Sequence, residues 1–210
     1  MIKQELNDRS PLRILERSTQ GGLGRGNMGV IAARQGVGKT ACLVHIATDQ
    51  LLQGKQVIHV SFATNPRHIV DWYEDIFREI AAKFGLESVM AVHDEMIRRR
   101  IIMNFNQSSI HLPQVIGSLQ SIIRDGHFAA DTIVVDAYDF SAVSREELEA
   151  VKGFAAEPRC GTDGTSPWQP ALVLRWSWRS RGPMRCRHPD PRARSPTSAE
   201  RSSRTATAPG

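Results

Sequence analysis

Absences set the outer limits of this 210-residue chain. No stretch approaches the roughly 18 consecutive apolar residues that a membrane-crossing helix needs, which excludes a spanning protein. The opening MIKQELNDRS has no apolar core, so a secretory leader is not expected. Cysteine is scarce: Cys42, Cys160 and Cys186 show no CxxC spacing. That argues against a disulfide scaffold and a zinc knuckle, and fits a reducing cytoplasm. The seven histidines form neither HExxH nor another ligand spacing, so none is assigned to a metal. At 40% hydrophobic and 23% charged, the chain has the material for one domain with a real core, plus at most an appendage.

Basic residues are in excess, with a formal net charge of +5, but the excess is local. Residues 158–210 carry ten Arg, no Lys and three acids. Residues 1–157 carry 17 basic and 19 acidic residues, a slightly acidic body. The same boundary marks a change of composition. Eight of the eleven Pro and three of the four Trp fall after residue 157, and Ile, Lys, Asn, Phe and Tyr are absent there. The missing types have AT-rich codons and the abundant ones GC-rich codons. Residues 158–210 therefore read as a frameshift product of a GC-rich gene or as a natural, disordered Arg/Pro/Ser-rich tail. Three segments result: a lead-in and entrance loop over 1–26, a folded core over 27–157, and this tail.

Within the body, apolar patterning alternates between strand and helix. A short helix is expected around Leu12 to Arg17, followed by the turn-forming GGLGRG at 21–26. MGVIAA (28–33), QVIHVSF (56–62) and DTIVVD (131–136) read as strands. Lys39 to Leu52 reads as a helix with Gly54 at its C-terminal cap. Asn65-Pro66 signals the start of another, which carries Ile69, Tyr73, Ile76, Phe77 and Ile80 on one face and stops before Gly85. Further helices are expected over Glu87 to Ile102, Leu112 to Ile123 and Ser144 to Phe154, the last opened by a Ser144/Glu147 capping box. Strands alternating with helices predict an α/β fold, a parallel sheet flanked by helices on both faces.

The most specific motif is Ala33-Arg34-Gln35-Gly36-Val37-Gly38-Lys39-Thr40, which fits GxxxxGK[ST] apart from Ala33 at the first glycine. A strand that turns sharply into a helix can aim successive backbone N–H groups at one anion. Gly36 and Gly38 permit that backbone and leave room for phosphate oxygens. Lys39 reaches the β- and γ-phosphates and Thr40 offers its hydroxyl to Mg²⁺, while the helix from Lys39 to Leu52, with Ala41 in its first turn, adds its N-terminal dipole. Asp136, ending the apolar run Ile133-Val134-Val135, is the expected second Mg²⁺ partner. The expected cofactors are ATP and Mg²⁺. The expected contacts are residues 33–41 for nucleotide, and Thr40 and Asp136 for metal.

From these residues the chain resembles the RecA-like P-loop ATPases, in particular the KaiC and RadA branch. GGLGRGNMGVIAARQGVGKT (21–40) is similar to that family's GGLPRGELxLxxGxPGxGKT, and the order of elements agrees over about residues 12–156. The resemblance implies an ATP-binding RecA-like domain, commonly assembled into rings or filaments. In that family the second strand ends V-[ST]-F-E-E-[ST]-P, whose acids activate the attacking water. Here the frame is Val60-Ser61-Phe62-Ala63-Thr64-Asn65-Pro66, and both acids are gone. A methyl group accepts no proton, and threonine is no base near neutral pH. The alternative place for a base, directly after the metal Asp, is Ala137. Asp71, Glu74 and Asp75 lie further into the next helix and read as a solvated acidic face. The family's sheet also continues with a strand after the metal-Asp strand and its helix. That strand would fall where the composition collapses, and Ala171-Leu172-Val173-Leu174 is the only later apolar run, so the sheet is expected to be incomplete after 157 and poorly folded.

Other residues have plainer readings. His93-Asp94-Glu95 is a polar helix face, and His45 and His59 are packing or surface residues. Trp72 and Tyr73 are core or interface aromatics rather than base-stacking ones. Arg98-Arg99-Arg100 is a solvated run without interleaved aromatics, unlike a single-strand-binding surface. Cys42 is expected to be buried. The sequence thus points to an ATP-binding switch or assembly subunit with weak or absent hydrolysis. Its alternatives are a DNA-associated ATPase of the recombination or helicase type and a non-enzymatic interaction domain. The expected partners are nucleotide and further copies of the chain, with nucleic acid unsupported by the core and no membrane.

Overall fold

The computed structural model describes residues 12–84, 89–140, 143–157 and 169–178. The elements run in the order α1 (Leu12–Ser18), β1 (Met28–Arg34), α2 (Lys39–Leu52), β2 (Val57–Ser61), α3 (Arg67–Phe84), α4 (Val89–Arg98), β3 (Arg100–Asn104), α5 (Leu112–Arg124), β4 (Thr132–Asp136), α6 (Arg145–Ala156) and β5 (Ala171–Trp178). The five strands form one sheet in the order β1-β5-β4-β2-β3, and every pairing is parallel. All of these elements lie in one compact unit that extends to Arg179.

Side chains alternate across the central strands and divide the core in two. Ile58, Val60, Ile133, Val135, Leu172 and Leu174 join one cluster with Leu112, Val115 and Leu119 of α5 and Phe154 of α6. Val57, Val134 and Val173 point the other way, into a cluster with Leu43, Val44 and Leu51 of α2 and Ile69, Tyr73, Ile76 and Phe77 of α3. Every residue of β2 and β4 is buried, as a strand covered on both faces requires. Burying a Leu, Ile or Val side chain contributes about 1.5–3 kcal/mol, so two such layers set the scale of stability.

Local signals place most helix ends. Asn65 Oδ1 accepts the Arg67 N–H at 3.1 Å at the start of α3. Ser144 Oγ accepts the Glu147 N–H at 3.1 Å while Glu147 Oε2 accepts the Ser144 N–H at 3.0 Å, the expected reciprocal cap of α6. At the end of α2, Gly54 has φ 81° and donates to the Leu51 carbonyl at 2.9 Å, and Lys55 N–H reaches the Gln50 carbonyl at 3.1 Å. Only a residue without a Cβ takes that left-handed cap at no cost.

Two expectations are corrected. The helix expected up to Ile102 ends at Arg98, and Arg100–Asn104 is an edge strand paired with β2. Arg-Ile-Ile-Met-Asn follows the helix with no Gly or Pro between them, and a short apolar run fits either period. Glu87 and Gly85 lie outside the described residues. The sheet is also not incomplete after residue 157. Ala171–Trp178 is inserted between β1 and β4, with Leu172 opposite both Met28 and Ile133 and Leu174 opposite both Val30 and Val135. A run of four apolar residues is enough for a central strand when neighbours on both sides supply its hydrogen bonds. Residues 158–168 and 179–210 lie outside the described residues, as does the expected tail over most of its length.

A polar cluster is enclosed in the second core layer. His59, fully buried on β2, has Nδ1 3.0 Å from the Tyr73 hydroxyl, and the Arg100 guanidinium lies 4.2 Å above the Tyr73 ring. Arg100 is therefore half-buried rather than part of a solvated run. Tyr73 is a core residue, closed to stacking on a base. Burial holds the His59 pKa down to about 4, with Asp136 opposing and Arg100 assisting. An unfolded histidine titrates near 6.5, so between these values only the unfolded chain takes the proton. Stability is therefore complete above about pH 6.5 and falls by about 3 kcal/mol towards pH 4 from this group alone. Thermal melts of the wild type should lose more stability over that interval than those of His59→Gln. Equal losses would show that His59 does not titrate in this way.

Candidate phosphate-binding site

The strand β1 delivers the chain to the turn Gln35–Gly38, and α2 starts at Lys39. Gly36 and Gly38 have φ 85° and 81°, in the left-handed region that costs other residues about 1–2 kcal/mol. A Cβ added at either would meet nothing within 4 Å, so conformation, not crowding by the protein, demands glycine, and the space beside each Cα is open. Ala33 lies within β1 and has no positive φ, which explains why this position does without the glycine of the motif.

Backbone donors gather at this turn. Among the described residues, nothing accepts a hydrogen bond from the N–H groups of Gly36 through Ala41. The next N–H, that of Cys42, donates to the Gly38 carbonyl at 3.0 Å and begins the helical ladder. Unpaired N–H groups at a helix start form an anion-binding concavity, reinforced by the helix dipole. Lys39 is buried, and its Nζ donates to the carbonyl oxygens of Ala33, at 3.0 Å, and Arg34. Those bonds use two of the ammonium's three donors and hold the side chain across the turn. Burial lowers the Lys39 pKa from its ordinary value, the charge of Arg175 adds to the effect, and Asp136 opposes it. Arg34, Gln35 and Val37 are exposed, and Thr40 and Ala41 are half-buried in the first turn of α2.

Asp136 ends β4 and is 1% exposed. Arg175 of β5, one position past the Leu174–Val135 pair, stands alongside it. Its Nη1 lies 2.6 Å from Thr40 Oγ1, to which it donates, and 2.7 Å from Asp136 Oδ1. The contact with Asp136 is an ion pair without hydrogen-bond alignment, so among the described residues Oδ1 remains a buried acceptor with no aligned donor, and the buried Arg175 Nε is unpaired as well. The structure thus brings Lys39, Thr40 and Asp136 together. It adds a cation that sequence reasoning missed, because Arg175 is 135 positions from Thr40 and follows the composition break. The only signal was Ala171-Leu172-Val173-Leu174, an apolar run ending directly before it.

Thr40 and Asp136, the expected Mg²⁺ pair, do converge on one point, but that point holds the Arg175 nitrogen. Mg²⁺ requires oxygens at about 2.0–2.1 Å and near-octahedral geometry. With the guanidinium between them these residues do not fit the ion. Among the described residues, no group of three or more His, Cys, Asp or Glu side chains could hold a metal.

The two positions at which the resemblance places a general base, after β2 and after Asp136, hold none. Ala63 is half-buried and Thr64 exposed beyond β2, and the Ala63 N–H donates to Ser61 Oγ at 3.1 Å. Glu74 pairs with His93 Nε2 at 2.7 Å, and Asp71 and Asp75 are exposed, Asp75 lying 3.2 Å from Arg78. Ala137, directly after Asp136, has φ 63°, a strained conformation for an alanine. Cys42 is half-buried, not buried, because it lies at the flank of α2, and partial burial raises its thiol pKa.

Compared with known proteins, the chain matches no protein-family profile and no curated sequence. No helix among the described residues is long and apolar enough to cross a membrane.

The two kinds of left-handed residue predict opposite responses. Gly36→Ala and Gly38→Ala should each cost about 1–2 kcal/mol in urea unfolding. Ala137→Gly relieves a similar strain, offset by about 0.5–1 kcal/mol of extra freedom in the unfolded chain, and should leave the midpoint unchanged or raised. A clear loss of stability in Ala137→Gly would show that this position is not strained.

Proposed function

We propose that the chain is a RecA-like P-loop protein that binds ATP and hydrolyses it slowly or not at all, acting as a nucleotide-dependent switch or assembly subunit. The observation that carries this reading is the row of N–H groups from Gly36 to Ala41, unpaired among the described residues, on a turn that is open beside Gly36 and Gly38 and that Lys39 spans. A neutral ligand gains little there, whereas a phosphate chain satisfies several donors and a buried ammonium at once. The order of strands supports it too. A fifth parallel strand follows the Asp136 strand and its helix, the place in which a RecA-like sheet continues. Slow turnover follows from chemistry. Neither Ala63 nor Ala137 can take a proton from water, and Glu74 is engaged by His93. Adenine and the assembly role rest on the resemblance of residues 21–40 to the KaiC and RadA branch.

Calorimetric titration with ATP should show saturable binding that Lys39→Ala weakens by about tenfold or more, the loss of one charge-assisted contact or greater. Turnover of bound ATP should stay far below the roughly 1–10 per second of ordinary enzymes. Rapid hydrolysis abolished by Lys39→Ala would overturn the expectation of slow turnover. Absence of any ATP binding would overturn the whole reading.

A further inference from the structure

We propose that the Arg175 guanidinium takes the place of the divalent cation in this site, so that the chain binds a nucleoside triphosphate without Mg²⁺. The inference rests on the phosphate-loop reading and concerns how that loop is neutralised. Arg175 Nη1 is 2.6 Å from the Thr40 hydroxyl and 2.7 Å from Asp136 Oδ1, the two oxygens that would otherwise face a metal. A cation held at one point by both excludes a second cation from that point. Arg175 is fixed by the sheet, not by a loop: it sits in register with Ile31 of β1, on a strand inserted between β1 and β4. Asp136 is 1% exposed, so a metal that expelled the guanidinium would have to break a buried ion pair and leave Arg175 without its counter-charge.

The chemistry of the side chain suits the role. A guanidinium stays charged at any pH at which the protein is folded, and its planar fork matches phosphate oxygens. Nη1 is committed to Thr40 and Asp136, while the buried Nε–H has no partner among the described residues and still requires an acceptor. A triphosphate seated on the N–H groups of the turn would meet two fixed cations, Lys39 and Arg175. Their mutual repulsion is one cause of the lowered Lys39 pKa, which fits cations that feel each other across the site. Arg175 supplies one unit of charge less than Mg²⁺ and carries no coordinated water. It can therefore hold a phosphate chain without organising water around it, in keeping with the missing acids at Ala63 and Ala137.

The test is ATP titration of the full chain by calorimetry, once in excess EDTA and once in saturating Mg²⁺, with thermal melts run alongside. The wild type should give dissociation constants within about threefold of each other, since no metal-dependent contact is gained. Arg175→Gln should bind about tenfold or more weakly in EDTA and recover in Mg²⁺, as the vacated point becomes available to the ion. Arg175→Lys, which keeps the charge, should remain metal-independent. Wild-type binding that is about tenfold or more tighter with Mg²⁺ would overturn the proposal while leaving the phosphate loop intact, and this comparison needs no variant to fold. Equal binding by Arg175→Gln and wild type in EDTA would overturn it as well. Failure of the wild type to bind ATP under either condition would remove the phosphate-loop reading and this inference with it.

Discussion

The insertion of β5 between β1 and β4 is the constraint on which the rest of the structure depends. Among the described residues β1 pairs with β5 alone, so the strand that leads into the turn Gln35–Gly38 joins the sheet only through β5. Remove that strand, and β1 loses its parallel ladder while β4 presents an open edge along a fully buried strand. Unpaired backbone groups in such a setting cost about 1–3 kcal/mol each, comparable in sum to the stability of a whole domain. The same strand places Arg175 beside Asp136. Sheet closure and the electrostatics of the site are thus one structural event.

From that frame the site follows in order. The sheet fixes the end of β1, two left-handed glycines reverse the chain, and α2 begins with its first N–H groups unpaired among the described residues. Lys39 folds back over the turn and ties it to the carbonyls of Ala33 and Arg34. The arrangement is built for negative charge, because its donors are fixed before any ligand arrives and need little reorganisation. Among the described residues, neither Ala63 nor Ala137 gives it a proton acceptor. Beyond β2 the chain offers Ala63 and Thr64, neither of which is a base near neutral pH.

Much of this was legible along the chain because it is local. The glycines, lysine and threonine of the turn are contiguous, and β2 and β4 announce themselves by β-branched runs. The cap of α6 is written in Ser144 and Glu147, three residues apart. Two strands were not legible. β3 follows a helix with nothing to punctuate the change, and its pairing with β2 is decided by tertiary contact. β5 lies in a stretch whose composition resembles a tail, and a four-residue apolar run says little until its neighbours are known. Arg175 was hidden for the same reason: its role exists only through register with β4. His59 was also ambiguous, since one histidine on a buried strand reads as surface or core until Tyr73 of α3 is seen to close over it.

The central claim is that the turn from Gly36 to Ala41 grips a triphosphate with its main chain. Amide hydrogen exchange with and without ATP reads those groups directly. The account predicts that the N–H groups of Gly36 through Ala41, unpaired in the free protein among the described residues, exchange fast alone and become protected when ATP is present. Unchanged exchange in this turn at saturating ATP, or protection confined to another part of the chain, would contradict it.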